Sequence, residues 1–174
     1  GGEPLLNKKV FIFATEEIAK QKESGKFPKD GSITLITNAT AVDDDVIIAI
    51  AKNNVSVSVS LDGRKQVQNA NRIFEDGSGN FDLVISNIER MKSAGIKVGL
   101  SCTINPQNLD SLEEEFIWFL EKLGVIGMGF NMLIDLPDKT QADEKYAKKA
   151  TEKIVACYKI ARKKGVYEDR IMRK

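Results

Sequence analysis

The chain has 174 residues, 42% of them hydrophobic, and its 26 Lys and Arg nearly balance its 25 Asp and Glu. This composition predicts one soluble globular protein, gives no basic field for nucleic acid, and includes neither a membrane-spanning run nor a secretory leader, so we expect a cytoplasmic location. Histidine is absent and cysteine occurs only as Cys102 and Cys157, which excludes Ser-His and Cys-His catalysis, His-based metal sites and a disulfide framework.

Helical and extended patterns alternate along the chain. Apolar spacing and capping residues predict, in order, helix 5–22, strand 32–38, helix 43–52, strand 55–61, helix 82–94, strand 97–104, helix 110–123, strand 127–134 and helix 141–164. Gly124 is the expected C-cap of the fourth helix. Strands separated by helices imply right-handed crossovers, so the predicted fold class is α/β with a parallel sheet.

The strand at 55–61 has two chemically different faces. Its valines and Leu61 share one face, whereas Ser56, Ser58, Ser60 and the following Asp62 share the other. Strands of a parallel sheet are normally apolar on both faces. The serine face therefore predicts a wide, open barrel whose lumen has room for a ligand.

Polar side chains also gather where the predicted strands end. They are Asn38, Ser60, Asp62, Thr103, Asn105 and Asn131. Ligand sites of parallel barrels lie at this end, and the joint occurrence of these residues around one rim favours a site. Taken singly, each of them is also what an ordinary cap or turn requires.

The segment Gly1-Gly2-Glu3-Pro4 leads directly into the first helix. Its glycines allow backbone to approach a ligand, its proline suits the first helical turn, and free amides at a helix start attract polar or negative groups. The segment is therefore a candidate ligand-gripping turn, with an ordinary loop before a helix as the alternative.

Six motifs occur in the order and approximate spacing found in radical S-adenosylmethionine enzymes. They are Gly1-Gly2-Glu3-Pro4-Leu5, Thr37-Asn38, Ser60-Leu61-Asp62-Gly63, Arg72, Gly77-Ser78-Gly79-Asn80-Phe81 and Thr103-Ile104-Asn105-Pro106-Gln107-Asn108. The chain resembles in particular the branch with a cysteine-rich SPASM or twitch extension. That branch includes anaerobic sulfatase-maturating enzymes and maturases of ribosomal peptides.

The resemblance implies a partial TIM-like (β/α) barrel that lacks its first strand and its cluster-binding loop. Residues 1–136 would form this barrel core. Residues 137–174 would hold the long last helix and the start of a linker toward a further domain.

The resemblance also implies an S-adenosylmethionine site. Gly1, Gly2 and Glu3 would hold the amino group of the methionine part, and Arg72 would pair with its carboxylate as a planar donor fork. The ribose and methionine would lie near Ser60 and Asp62. The rim would include Asn38 and Asn105, and the adenine would lie near Asn131, Met132 and Leu133. Without the match to the family's motifs, Arg72 would be interpreted as an ordinary surface cation. Arg64, which follows the Asp62-Gly63 turn, is expected to point to solvent or substrate.

Two features depart from the family's pattern. The Cys-x3-Cys-x2-Cys loop that ligates the cluster is absent, and Gln68-Asn69 stands where many relatives have His-Asp. Cys157 falls on the apolar stripe of the last helix and Cys102 alternates with Val98 and Leu100 in its strand, so both are predicted to be buried structural thiols. Two sulfurs on separate elements cannot ligate a cluster. We therefore expect a segment of a longer enzyme, with no metal ligands and no identifiable catalytic residue of its own.

The resemblance implies that the full-length parent uses S-adenosylmethionine and a four-iron four-sulfur cluster to generate an adenosyl radical. This radical would modify a peptide or protein, with cysteine-rich peptide maturation favoured and sulfatase maturation next, and flavodoxin or ferredoxin as reductant. The segment alone would be inactive and would bind S-adenosylmethionine weakly at most. It would self-associate through the strand edge at 32–38 or at 127–134.

A non-catalytic half barrel, used as a binding or scaffold module, is the alternative from a different functional class. A doubly wound nucleotide-binding domain fits poorly, because no Gly-x-Gly-x-x-Gly follows a first strand.

Overall fold

The alternation of helices and strands predicted from the sequence is present in the computed structural model, which describes residues 2–133 and 144–168. The elements are a 3-10 helix (Pro4–Asn7), α1 (Lys8–Glu23), β1 (Thr34–Thr37), α2 (Asp44–Lys52), β2 (Ser56–Ser60), α3 (Lys65–Asn71), α4 (Phe81–Ser93), β3 (Val98–Ile104), α5 (Leu112–Trp118) with a π-helical turn (Phe119–Leu123), β4 (Gly127–Met132), α6 (Glu144–Lys164) and β5 (Tyr167–Glu168). The predicted α/β class is confirmed.

Two short elements, α3 and β5, were not predicted. Helix α3 has the sequence KQVQNAN, which lacks an apolar stripe. Strand β5 has two residues, too few for a period to be read from the sequence. The predicted boundary at residue 136 and the predicted starts and ends at 134 and 141 lie outside the described residues.

The chain divides into two compact units. Unit 1 comprises Gly1–Val59 and Leu83–Val98, and unit 2 comprises Ser60–Asp82 and Gly99–Lys174. No helix among residues 2–133 and 144–168 combines the length and apolar character needed to cross a membrane.

Unit 1 is built around the parallel pair β1 and β2, in which Thr34 aligns with Ser56 and Thr37 with Val59. Asp43 caps the start of helix α2, and its carboxylate accepts a hydrogen bond from the Val46 N–H at 3.0 Å. Its core is apolar, because the inward positions of these elements and of α4 carry apolar side chains. The buried members are Leu35, Val46, Ile50, Val57, Val59, Val84, Ile88 and Met91.

Unit 2 contains β3, β4 and β5, which pair in parallel. Leu100 aligns with Met128, and Gly127 of β4 aligns with Tyr167 of β5. The residue after β2, Leu61, donates its N–H to the Ser101 carbonyl of β3 at 3.1 Å. Strand β5 thus pairs with the start of β4. The prediction of a free strand edge at 127–134 is therefore wrong for that part of the strand.

The helices of unit 2 bury the stripes that the sequence predicts. Helix α6 buries Tyr146, Ala150, Ile154, Cys157 and Ala161. The rings of Phe116 and Phe130 meet edge to face, with centroids 5.8 Å apart. After the π-helical turn, Gly124 has a φ of 57°, which confirms the predicted left-handed C-cap.

The two-faced character of β2 is also confirmed. Val57 and Val59 are buried, whereas Ser56 is exposed and Ser58 and Ser60 are half-buried. The alternation follows from the period of two in a strand, which places every second side chain on the same face.

Candidate functional site

In unit 1, the Glu3 carboxylate lies between the start of the first helix and the end of β1. Its Oε1 accepts hydrogen bonds from the Leu5 N–H at 3.1 Å and from the Thr37 hydroxyl at 2.6 Å. Its Oε2 accepts one from the Asn38 N–H at 2.6 Å. We call Glu3, Thr37 and Asn38 the Glu3 cluster. Gly1 lies outside the described residues, and Gly2 is exposed.

The segment after β1 is a fixed turn. The Asn38 side-chain oxygen accepts from the N–H and hydroxyl of Thr40 at 2.9 and 2.8 Å. Ala39 is fully buried and has a φ of 56°, a left-handed conformation that side chains rarely adopt. The buried amide of Asn87 holds it by donating to its carbonyl at 2.9 Å. Part of the Asn38 side chain therefore serves the turn itself.

In unit 2, Asp62 and Arg72 form a two-point ion pair. Arg72 donates from Nε to Oδ2 of Asp62 at 2.8 Å and from Nη2 to Oδ1 at 3.1 Å. The Thr103 N–H donates to the same Oδ1 at 2.9 Å. Asp62 is 2% exposed, whereas the Arg72 side chain is 28% exposed. The pair thus presents one edge of a guanidinium outward and hides the carboxylate that balances its charge.

A pocket of about 190 Å³ opens beside this pair in unit 2. The residues that line it are Asp62, Asn71, Arg72, Thr103, Asn105 and Leu133. Four of them, Asp62, Arg72, Asn105 and Leu133, are residues that the sequence predicts for the site. Pockets for small molecules usually exceed about 300 Å³. This pocket therefore fits one polar end of a ligand rather than a whole nucleoside.

The residues that line that pocket do not include three other predicted residues of unit 2: Ser60, Asn131 and Met132. Asn131 is exposed and donates to the Ser101 hydroxyl at 2.9 Å, and Met132 is 37% exposed. Ser60 ends β2 and is half-buried. Leu133 donates its N–H to the Tyr146 hydroxyl at 2.9 Å, which fixes the end of β4 against α6.

Arg64 is exposed, as expected, with 48% of its side chain accessible, and it is also bound to Glu115. Its Nε and Nη2 donate to Oε1 of Glu115 at 3.0 and 2.8 Å, and its backbone N–H donates to Oε2 at 2.7 Å. Glu115 is 2% exposed and raises the pKa of Arg64 above its ordinary value through these bonds. The loop needs Gly63, because a Cβ there would lie 2.7 Å from Cβ of Val67.

Among the described residues of unit 2, four buried polar side chains were not predicted as parts of the site: Gln68, Asn80, Asn108 and Glu115. Their relative exposures are 0%, 6%, 0% and 2%. Asn108 is the last residue of the motif that begins at Thr103, and its place in that motif was the one indication in the sequence that it belongs near the site. Nothing local to Glu115 indicates that its carboxylate binds a residue 51 positions away.

The two cysteines do not fit an iron-sulfur cluster. Cys102 on β3 and Cys157 on α6 are both buried and free, which confirms the predicted burial. Burial raises the pKa of the Cys102 thiol well above its usual range, and the thiolate is the form that binds metal. No group of three or more His, Cys, Asp or Glu within the described ranges could hold a metal ion.

Each unit, taken by itself, offers one group that suits a charged group of a ligand. The guanidinium edge of Arg72 suits a carboxylate, because two parallel N–H groups match its two oxygens. The Glu3 cluster offers a carboxylate whose described partners are neutral N–H and O–H donors, so its negative charge suits an ammonium group. S-adenosylmethionine carries both groups.

Comparisons with known proteins find a matching family and several relatives. A family model described as the Radical SAM superfamily matches residues 1–119. Fe-coproporphyrin III synthase of Methanosarcina barkeri is 34% identical over 125 residues, which are 67% of this chain and 28% of that protein. A cysteine-type anaerobic sulfatase-maturating enzyme of Clostridium perfringens is 25% identical over 122 residues, 70% of this chain and 32% of that protein.

Among solved structures, the fold is similar to that of native anSMEcpe with bound AdoMet and Kp18Cys peptide. The TM-score is 0.77 at 21% identity, over 97% of this chain and 48% of that one. The chain thus spans less than half the length of each of these proteins.

Proposed function

This chain belongs to the radical SAM superfamily, and from that premise we propose that it supplies the S-adenosylmethionine-binding part of an enzyme that modifies a peptide or protein. The observation that carries the proposal is the Arg72 guanidinium, which Asp62 holds in a fork at the pocket of unit 2. A fixed, permanently charged donor fork is suited to a ligand carboxylate.

Each predicted binding residue has a task in this proposal. Arg72 binds the carboxylate of the methionine part, and Glu3 with Gly1 and Gly2 binds its amino group. The other members lie near the ribose and the methionine moiety (Ser60 and Asp62), along the rim (Asn38 and Asn105) and near the adenine (Asn131, Met132 and Leu133). The bound cofactor supplies the radical chemistry of the family, while these residues bind and orient it.

The family also implies a four-iron four-sulfur cluster and a reductant such as flavodoxin or ferredoxin. The described residues do not provide cluster ligands, so we propose that this chain alone forms no cluster and cleaves no S-adenosylmethionine. Anaerobic reconstitution with iron and sulfide, followed by an assay for deoxyadenosine, checks both points. A stoichiometric cluster with deoxyadenosine formation would contradict them.

A peptide or protein is the substrate class that we favour, with cysteine-rich peptides first and sulfatases second. Support comes from the sulfatase-maturating relative and from the solved structure that holds a Kp18Cys peptide. A tetrapyrrole is the second candidate, because the relative at 34% identity is named Fe-coproporphyrin III synthase.

Equilibrium binding distinguishes these two substrate classes. A fluorescently labelled cysteine-containing peptide and iron coproporphyrin III are each titrated against the chain, with and without S-adenosylmethionine. We expect saturable binding of the peptide that the cofactor strengthens. Saturable binding of the porphyrin with none of the peptide would favour the second candidate.

The cofactor proposal is tested by calorimetric titration of the chain with S-adenosylmethionine. Weak saturable binding that is lost in Arg72→Ala supports it. No binding by the wild-type chain would overturn it.

We also propose that the chain self-associates through β1. Strand β1 pairs with β2 on one side, no other strand partner for β1 occurs among residues 2–133 and 144–168, and Ile36 in it is 59% exposed. Unpaired edges with exposed apolar side chains invite pairing between molecules. Light scattering should give a dimer or larger species that Ile36→Lys weakens; a monomer across micromolar concentrations would contradict this.

A further inference from the structure

Asn108, in the loop after β3, is completely buried. Its side-chain nitrogen donates to the Asp62 carbonyl at 2.8 Å and to the Thr103 carbonyl at 3.0 Å. Its side-chain oxygen accepts from the Asn105 N–H at 2.8 Å. One amide therefore joins three residues that line the pocket of unit 2, although it does not line the pocket itself.

A second buried amide holds Asp62 from its other side. The Asp62 N–H donates to the Gln68 side-chain oxygen at 2.8 Å, and the Gln68 nitrogen donates to the Asn80 side chain at 3.0 Å. Both backbone polar atoms of Asp62 are thus bound by fully buried amides. Its carboxylate is bound by Arg72 and the Thr103 N–H. Asp62 has little freedom to turn toward a ligand.

From these contacts we propose that Asn108 is a positioning residue: it fixes Asp62, and through Asp62 it sets the direction in which Arg72 presents its guanidinium to a ligand carboxylate. This inference rests on the proposed function. It gives Asp62, which was expected only to lie near the ribose and the methionine moiety, the task of orienting Arg72.

The physical reason is that a fork–fork contact depends on angle. Two parallel N–H groups bind a carboxylate well only when the guanidinium plane is aligned with it. Arg72 is 28% exposed and has several rotatable bonds, so an unfixed partner would let it sample other orientations. Groups that support a binding side chain from behind set such geometry.

The test compares two ligands that differ by one group: S-adenosylmethionine and decarboxylated S-adenosylmethionine. Calorimetric dissociation constants are measured for the wild-type chain, Asn108→Ala, Arg72→Ala and the double variant. We expect Asn108→Ala to weaken S-adenosylmethionine binding about fivefold, since one supporting hydrogen bond contributes about 1 kcal/mol. Binding of the decarboxylated ligand should stay within about twofold, because it has no carboxylate to misalign.

The control variant is Asn53→Ala, which removes an amide of unit 1 that donates to the Thr15 hydroxyl at 3.2 Å. It should lower the melting temperature without changing the ratio of the two dissociation constants. If Asn108 only stabilised the fold, Asn108→Ala would also leave this ratio of dissociation constants unchanged. A change in the ratio therefore indicates positioning rather than stability. In the Arg72→Ala background, Asn108→Ala should cause no further loss of S-adenosylmethionine affinity.

Equal losses for both ligands, or a further loss in the Arg72→Ala background, would overturn this inference alone. No binding of S-adenosylmethionine by the wild-type chain would overturn the proposed function as well. A nuclear magnetic resonance measurement does not depend on the folding of Asn108→Ala. The Arg72 Nε–H signal of the wild-type chain, assigned by its loss in Arg72→Lys, should exchange slowly with water before ligand is added. Fast exchange would overturn the inference.

Discussion

Two carboxylates beside strand ends, Asp62 in unit 2 and Glu3 in unit 1, are held in contrasting ways. Asp62 is buried and paired with a guanidinium, so its charge is balanced within the protein. Glu3 is half-buried, and its described bonds come from two backbone N–H groups and one hydroxyl, which carry no net charge. Similar carboxylates therefore offer opposite charges to a ligand: a cationic edge in unit 2 and a negative oxygen in unit 1.

This contrast shows that the groups bound to a carboxylate determine whether it supports another side chain or attracts a ligand. A buried carboxylate next to arginine is a support, because moving it would leave a charge unpaired in a poorly solvated site. A carboxylate bound by neutral donors keeps its full charge and can attract a cation. Four predictions test this difference, beginning with the largest expected effect.

Removing the buried carboxylate should have the largest effect. Asp62→Ala leaves Arg72 without its partner and the Thr103 N–H without its acceptor, so we expect the free energy of unfolding to fall by about 3 kcal/mol. That is the lower end of the range for buried pairs, because Arg72 is partly exposed and solvent screens it. Urea denaturation measures this value.

The matched control for this prediction is Asp82→Ala. Asp82 pairs with Lys65 at 2.6 Å in the same unit but is 74% exposed, so its loss should cost less than about 1 kcal/mol. Equal destabilisation by the two variants would mean that burial does not distinguish the carboxylates.

Arginine variants should separate binding from stability. Arg72→Ala should raise the dissociation constant for S-adenosylmethionine about tenfold or more, because a charged hydrogen bond contributes about 1.5 to 3 kcal/mol. Arg72→Lys should recover part of this, since an ammonium cannot make the forked contact. Arg64→Ala should leave the affinity nearly unchanged and lower stability, because it leaves the buried Glu115 without its cation.

Calorimetric titration and thermal melting of the three arginine variants provide the two measurements. Equal affinities for Arg72→Ala and Arg64→Ala would show that Arg72 does not bind the cofactor carboxylate.

Neutralising Glu3 should have a smaller effect than removing Asp62. Glu3→Gln keeps one acceptor oxygen and places an NH2 group against an N–H or hydroxyl donor, so we expect a loss of about 1 kcal/mol in the free energy of unfolding. Glu16→Gln, a partly exposed position paired with Lys52 in the same unit, is the control and should be near neutral. If Glu3→Gln lowered the free energy of unfolding as much as Asp62→Ala does, the proposed difference between the two carboxylates would be contradicted.

The smallest effect is expected at the partly exposed ion pair of Lys8 with Asp43 in unit 1. The side-chain bond from Lys8, followed by the Val46 N–H, lowers the pKa of Asp43 below its ordinary value. The stability from this shift is complete above the unfolded pKa of Asp43 and is lost as pH falls through the lower folded value, near pH 4 and below. Denaturation curves of the wild type and Asp43→Asn should therefore converge in acid.

Lys8 gives the opposite sign. Asp43 and Asp45 raise its pKa, so its contribution is complete below the unfolded pKa and is lost as pH rises through the higher folded value, above about pH 10. Salt at about 1 M should weaken this pair by screening and leave the buried Asp62 and Arg72 pair nearly unaffected. Equal salt sensitivity of Asp43→Asn and Asp62→Asn relative to the wild type would contradict the distinction.

The sequence predicts the fold well where local patterns are long. The stripes of α4 and α6 and the two faces of β2 follow from periods of 3.6 and 2, which are properties of neighbouring residues. Helix α3 has no such stripe, and its buried Gln68 serves hydrogen bonds rather than apolar packing. The sheet partner of β4 at β5 could not be predicted because strand pairing is not a local property.

By itself, the sequence determined the α/β alternation, the strand ends at which the polar residues collect, and the family to which the motifs belong. Each of these features depends on residues that are close together along the chain. Only the tertiary structure decided which charges meet. Asp62 pairs with Arg72 and Arg64 with Glu115, 10 and 51 positions apart. Both choices depend on which side chains are buried together, since burial makes an unpaired charge costly and so selects its partner.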